Sequence, residues 1–373
     1  MKVLVFMSEL QVGGAESMSI GLANALAAEG IDVHFASASG PLRANLDQRV
    51  TFHRIDNPNV LPVRVAHTMS LLLREIKPDV IHSQGASCAV VASIARRASK
   101  VFPKRVLTHH SGKYRRAPRW LAGELIARAS DHFIAISRAK YDDMVSSGIP
   151  REQVSLIPNF VDVENLAARA RAVDTARARR ELQIPADAKV LVMAGRLVHT
   201  KRFDLFIKIA AETARRYRAH SVHALVVGDG PQLENIRKLA RDESAPATIH
   251  LLGYQRDVVP SLAMSDVVVF PSQHPEVLPM FLIEASAAGR PIVCSDIAAN
   301  REIVVDGVTG RVLHGDVADY AQAVVELLED EALAARFGAA GHTTALERFD
   351  QKHVAQETIA VYRRLLAGRE PKG

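Results

Sequence analysis

KVLVFMSELQVGGAESMSIGLANALAAEGIDVHFA, residues 2–36, decides the architecture. Lys2 to Met7 is a continuous apolar run, the pattern of a strand buried on both faces of a parallel sheet. Gly13-Gly14-Ala15-Glu16 follows, then a helix from Met18 to Glu29 stopped by Gly30, then a second strand from Ile31 to Ala36. Strand, glycine turn, helix and strand make a βαβ opening, the unit of a doubly wound α/β sheet.

Working outward, the same alternation recurs. Strands are expected at Val80–Ser83, Arg105–His109, His132–Ile136 and Val154–Ile157. Helices are expected at Val65–Ile76, Ala89–Lys100, Ala122–Ala129 and Arg138–Ser147. Pro158-Asn159 closes this half. Glu164 to Leu182 reads as an Arg/Ala-rich helical linker, after which a second array begins. Its strands are Val190–Ala194, Ala224–Val227, Thr248–Leu251, Val267–Phe270 and Pro291–Cys294, and His353 to Leu366 is a last amphipathic helix. The expected division is 1–165 for a first domain, 166–185 for the linker, 186–350 for a second domain and 351–373 for the terminal helix, crossing back onto the first. Sheets of this kind bind ligands beyond the carboxyl ends of their strands, so a cleft between two facing sheets is the expected site.

The totals agree with a folded, two-domain chain: 373 residues, 48% hydrophobic and 24% charged, without a low-complexity tract. Cys88 and Cys294 stand in opposite halves in apolar surroundings, as reduced core residues do. No apolar run reaches the roughly 18 residues of a spanning helix, and Met1-Lys2 leads straight into a strand, so a cytoplasmic location is expected. The net charge of +6 is unevenly spread. Arg96, Arg97, Lys100, Lys104, Arg105, Lys113, Arg115, Arg116 and Arg119 occur with no acidic residue among them. Such a run is either a solvated basic face or a patch for anionic lipid head groups or a phosphorylated acceptor, which would place the chain peripherally on the inner face of the plasma membrane. Nucleic acid is disfavoured, because few aromatics interleave the charges and no recognition motif accompanies them.

The chemistry concentrates in FPSQHPEVLPMFLIEASAAGRP, residues 270–291. Pro279 and Gly289 bracket one short buried helix, with Glu276 in the loop before it and Glu284 about one turn inside. A carboxylate on an apolar helix is costly to bury unless a ligand bonds it. The N–H groups of Met280 and Phe281 point out of the helix start, where a phosphate is favoured. Gly195-Arg196, followed by Lys201, ends a buried strand, where a guanidinium fork and an ammonium can hold two linked phosphates. Gly228-Asp229 ends another, as a tight turn or a ligand-lining loop. Gly13-Gly14 permits close backbone approach to an anion, although such turns are commonly structural. His109 and His110 are strand neighbours that face opposite sides, so they do not share a metal ion, and His110 is expected to face the cleft.

With these stretches in place the chain resembles a glycosyltransferase of the large retaining family 4, the group 1 glycosyltransferases. The resemblance rests on GGAE at 13–16, His110, IPNFVD at 157–162, GRLVHTK at 195–201, VGDGP at 227–231, the two glutamates at 276 and 284, and REIVVDGVTG at 301–310. It implies the GT-B fold, two Rossmann-like doubly wound domains facing a central cleft. It further implies a metal-independent hexosyltransferase without cofactor, which moves a sugar from a UDP- or GDP-sugar co-substrate to an acceptor hydroxyl with retention. The acceptor would be a glycan or glycolipid, as a lipid-linked or polysaccharide intermediate of cell-envelope glycan synthesis. On the resemblance, Arg196 and Lys201 hold the diphosphate, with Gly14, Gly195, Gly228, Asp229, Met280 and Phe281 lining the donor. Glu276 and His110 bond the donor sugar, and Glu284 the ribose. One departure stands out: Val277-Leu278-Pro279 replaces the frequent Gly-Phe-Gly, removing one N–H and leaving those of Met280 and Phe281. The alternatives are a non-catalytic subunit that binds nucleotide-sugars or a partner, and a sugar-nucleotide epimerase on the same scaffold.

Overall fold

A computed structural model of the chain describes residues 1–11, 13–110, 128–243, 247–273 and 276–368. Lys113, Arg115, Arg116, Arg119 and most of the expected helix 122–129 lie outside the described residues. The chain divides into two compact units, Met1–Phe160 with Gln351–Gly373, and Val161–Asp350.

In the first unit, β1 (Lys2–Glu9), β2 (Asp32–Ala38), β3 (Thr51–Arg54), β4 (Val80–Gln84), β5 (Lys104–Thr108), β6 (His132–Ala135) and β7 (Val154–Leu156) form one sheet in the order β3-β2-β1-β4-β5-β6-β7. Every pairing is parallel. The apolar run of β1 is central and wholly buried, as its lack of polar alternation requires. The order reverses between β1 and β4, which makes the sheet doubly wound. The terminal helix Gln351–Ala367 belongs to this unit and packs on the helix Gly14–Ala28. Its buried Tyr362 hydroxyl lies 2.6 Å from His82 Nδ1, and His82 Nε2 lies 2.7 Å from Thr108 Oγ1. Burial holds the His82 imidazole neutral, with its pKa lowered to about 3.

In the second unit, β8 (Lys189–Ala194), β9 (Val222–Val227), β10 (Thr248–Gly253), β11 (Val267–Phe270), β12 (Ile292–Ser295) and β13 (Gly310–Leu313) follow the order β10-β9-β8-β11-β12-β13, again all parallel. Two strands, β3 and β13, are absent from the sequence reading. Both are four-residue edge strands, TFHR and GRVL, with mixed polarity and no continuous apolar run. Residues 166–185, expected as a linker, instead contribute to two helices of the second unit, Val163–Ala172 and Thr175–Glu181. Asp162 and Asp174 cap them, and Val163, Leu166 and Ala170 are buried against Val259, Ala263 and Ala287. Both cysteines are free and buried, and burial raises the Cys88 thiol to about 12.

The two sheets share one further detail. His34 on β2 meets His53 on β3, Nδ1 to Nε2 at 2.8 Å, and His223 on β9 meets His250 on β10, Nδ1 to Nε2 at 2.9 Å. The register is the same in both. His34 lies opposite Thr51 and His223 opposite Thr248, so each histidine reaches its partner two residues along the outermost strand. Burial lowers the pKa of all four, partly offset at His34 by Asp32, 3.4 Å away. Lys2 and Glu75 also act on His34, Glu75 on His53 and Arg179 on His223. A histidine whose folded pKa is depressed takes up its proton preferentially in the unfolded chain. Its contribution to stability is therefore complete above about 6.5 and lost as pH falls below that value. The urea midpoint is expected to drop between pH 7 and pH 5 and to drop less in His53→Phe and His250→Phe; a midpoint flat across that range contradicts this account.

Candidate active site

The carboxyl ends of β8, β9, β10 and β11 are sewn together by backbone hydrogen bonds. Gly195 N–H donates to Val227 O (3.0 Å), Leu197 N–H to Asp229 O (2.9 Å), Gly228 N–H to Gly253 O (2.8 Å) and Gln273 N–H to Thr200 O (2.7 Å). Gly228 has φ +142, and a Cβ there would stand 1.9 Å from the Gly195 carbonyl oxygen, so glycine is the residue that fits. The turns after β8 and β11 lie where the strand order reverses.

Into this frame project the charged groups. The short turn His199–Lys201 places the Lys201 ammonium 2.7 Å from Glu276 Oε1 and 5.0 Å from the centre of the Phe270 ring. The pair is largely enclosed, with side-chain exposures of 21% and 9%, so each charge needs the other. An ammonium has three donors, and one contact to Glu276 leaves others for a ligand. Arg196, next to Gly195, is exposed and has no ion-pair partner among the described residues.

The helix Met280–Ala287 is apolar on nearly every side, with Phe281, Leu282, Ile283, Ala285, Ser286 and Ala287 buried. Pro279, which the sequence suggested as the first helical residue, is its N-cap, and the helix proper begins one residue later at Met280. Among the described residues no side chain caps this end, so the first N–H groups stay open to an acceptor. Glu284 is the one charged residue on the helix. It is half-buried, and burial raises its carboxyl to about 7; the charge of Asp257 adds to this and Arg169 opposes it. Arg169 is itself hydrogen-bonded to Asp257. Among the described residues no hydrogen bond to the Glu284 carboxyl contributes to this shift.

The first unit has a smaller cluster of its own. His110 follows β5, half-buried, with Nε2 2.7 Å from Gln84 Oε1 at the end of β4, while His109 is buried. The Gln84 oxygen accepts, so His110 carries its proton on Nε2; burial lowers its pKa to about 4 and keeps it neutral at pH 7. Gln84 is buried, and its amide nitrogen has no partner among the described residues. Sequence reasoning missed it, although an amide closing the buried strand VIHSQ, at the ligand end of the sheet, is the available signal. Gly13 caps the helix Gly14–Ala28 without a side-chain bond, and the Glu16 carboxyl folds over that turn, its pKa raised by burial. Gly14 is exposed at the first helical position.

Of the described basic run, Arg97 and Lys100 are exposed and Lys104 is half-buried at the start of β5. Arg96 stacks over Phe102 and donates to Pro103 O. Arg105 does not belong to the patch. Its guanidinium is held by Asp131 (2.7 Å), Ser93 Oγ (2.7 Å) and Arg128 O (2.9 Å), which fixes it as a structural ion pair at the start of β5. A hollow of about 610 Å³ lies at the opposite, amino end of β8 and β11, lined by Arg179, Lys189, Asp187 and Asp266, where no glycine turn or open helix start faces it. Volume alone therefore does not mark the site.

The family model for glycosyl transferases group 1 matches residues 174–344, and that for glycosyltransferase family 4 matches residues 12–165. The chain belongs to this family of glycosyltransferases. Among its relatives is the lipopolysaccharide core biosynthesis glycosyltransferase LpsE of Rhizobium meliloti, 27% identical and aligned over 96% of both chains. Another is the GDP-mannose-dependent alpha-(1-6)-phosphatidylinositol monomannoside mannosyltransferase of Mycolicibacterium smegmatis, 29% identical over 76% of each. Among solved structures, Anabaena HepE in complex with UDP and glucose superposes with a TM-score of 0.82 at 21% identity, covering 97% of this chain and 99% of that one. The likeness establishes the GT-B fold of two Rossmann-like units. The enzyme is thus a glycosyltransferase of the hexosyltransferase class.

In this glycosyltransferase, removing one member of the enclosed Lys201–Glu276 pair strands the other. Lys201→Met is expected to lower unfolding free energy by about 1–3 kcal/mol. Adding Glu276→Gln to it should recover part of that loss, read by urea denaturation; equal stability of single variant and parent refutes the pairing.

Proposed function

We propose that the enzyme is a retaining, metal-independent glycosyltransferase that uses a UDP- or GDP-sugar and glycosylates a lipid-linked or polysaccharide intermediate of cell-envelope glycan synthesis. The observation that carries this reading is the Lys201–Glu276 pair beside the uncapped start of the helix Met280–Ala287. A diphosphate meets cations on one side, from Arg196 and Lys201, and open N–H groups of Met280 and Phe281 on the other. Glu276 then accepts from hydroxyls of the donor sugar and Glu284 from those of the ribose. Gly195, Gly228 and Asp229 line the phosphates with backbone. In the first unit, Gly14 has an open N–H at its helix start, and His110, as the Nε2–H tautomer, keeps Nδ1 available to accept from a hydroxyl.

In the reaction, the acceptor oxygen bonds to the anomeric carbon on the face from which the nucleoside diphosphate leaves. The bond from that carbon to the phosphate oxygen breaks, its electron pair going with the phosphate. The acceptor proton passes to that same oxygen. The charge developing on the leaving group is balanced by Arg196, Lys201 and the helix start, so the chemistry calls for neither metal nor cofactor. The acceptor assignment draws on the lipopolysaccharide and phosphatidylinositol relatives.

Arg196→Ala is expected to lower kcat by about 10²–10³-fold with the fold intact. Turnover should persist in a chelator, and the product should keep the donor's anomeric configuration by proton NMR. Inversion, or full loss in chelator, ends the proposal. Glu284 supplies a separate check. Hydroxyl donors favour the carboxylate, so donor affinity should rise with pH through the raised carboxyl pKa of about 7. Between pH 8 and pH 6 a nucleotide-sugar that raises the melting temperature should bind about tenfold more weakly. Glu284→Gln should bind with little pH dependence.

A further inference from the structure

The open start of the helix Met280–Ala287 serves a diphosphate only if it stands at one height. The flanks of the helix set its distance from its neighbours more firmly than its height. Phe281, Leu282, Ile283 and Ala285 are buried and apolar, and apolar contact is non-directional. No side chain among the described residues caps the start. A directional hold is found at the other end.

There the last carbonyls are accounted for one by one. Ala288 N–H donates to Glu284 O (2.9 Å), Gly289 N–H to Ser286 O (2.9 Å) and Arg290 N–H to Ala285 O (3.0 Å). The next residue is Pro291, which has no N–H, so the helical ladder stops short of Ala287 O. That carbonyl, on a wholly buried residue, accepts instead from His342 Nδ1, 2.8 Å away on the helix Glu331–Arg348. The imidazole therefore carries its proton on Nδ1.

Glycine brings the two helices this close. A Cβ at Gly338 would stand 2.1 Å from Gly289 O, and one at Gly341 3.8 Å from Ser286 Cα. Gly338, Gly341, His342 and Ala345 recur at helical spacing and share one face, with Ala345 buried beside Ala287. Backbone thus lies against backbone, and the imidazole makes a directional bond across the contact.

We propose that His342 is a positioning residue for the nucleotide site. By holding Ala287 O it fixes the axial height of the helix, and with it the place of the Met280 and Phe281 N–H groups, about 12 Å away at the other end. Its N–H also meets the negative pole of the helix. The inference rests on the diphosphate site proposed above and deepens it: a side chain at the far end of the helix governs the grip on the phosphates.

Two variants test this. His342→Leu keeps the bulk and removes the donor, and His342→Asn places an amide N–H where Nδ1–H stood. Affinity for UDP and for GDP is measured by calorimetry, well below the melting temperature of each variant. His342→Leu is expected to bind the nucleoside diphosphate that the parent prefers about tenfold more weakly, and His342→Asn to stay within about twofold of the parent. In amide NMR spectra without ligand, the Met280 and Phe281 resonances should move in His342→Leu and return in His342→Asn. A residue that only stabilises the fold would lower the melting temperature of His342→Leu and leave both readings at the parent values. That result overturns the proposal, as does His342→Asn behaving like His342→Leu. A parent that binds neither UDP nor GDP counts against the proposed reaction, and the amide resonances then decide the positioning by themselves.

Discussion

The second unit depends on a backbone contact: the turn after β9 rests on the turn after β8, with Gly228 directly against the Gly195 carbonyl. A side chain at Gly228 would push these turns apart. Because they touch, Leu197 can bond Asp229, and the short turn carrying Lys201 comes back over Phe270. The ammonium then has a fixed place, and Glu276 has a partner within an otherwise apolar surround. Placement of charge at this site is thus a result of close backbone approach more than of side-chain attraction. An ion pair alone, with two long flexible side chains, does not fix a position to a fraction of an ångström.

Glu284 illustrates the complementary cost. Its helix is buried because seven of its eight residues are apolar or small, and the carboxyl is carried into that environment by its covalent neighbours. The Arg169–Asp257 pair nearby offers it one attractive and one repulsive charge, which leaves burial as the leading influence. A group in this state gains most from hydroxyl donors, which bond the carboxylate without adding a net charge.

Much of the fold was legible because parallel strands buried on both faces have to be apolar throughout. KVLVFM and VVVF show this directly, and the glycines at 195, 228 and 289 mark the turns that follow strands or end the key helix. The two missed strands, TFHR and GRVL, lie at sheet edges, where one side faces solvent and the pattern dissolves into mixed polarity. The Arg/Ala-rich stretch looked like a linker because helix-forming composition says nothing about what a helix packs on; Leu166 and Ala170 settle it by their burial. At the site, the glutamates, Arg196 and Lys201 stood out through charge in apolar context. Gln84 did not, since a neutral amide at a strand end carries no such contrast, and Arg105 looked available because its Asp131 partner lies 26 residues away.

The matched imidazole pairs bear on how this enzyme tolerates acid. They occupy corresponding rungs at the outer margins of two separate sheets, one in each unit. Each margin is its own point of surrender, and the groups proposed for catalysis are divided between the two units. Protonation in the unfolded chain therefore draws on both margins, and reinforcing one pair leaves the acid cost of the other where it was.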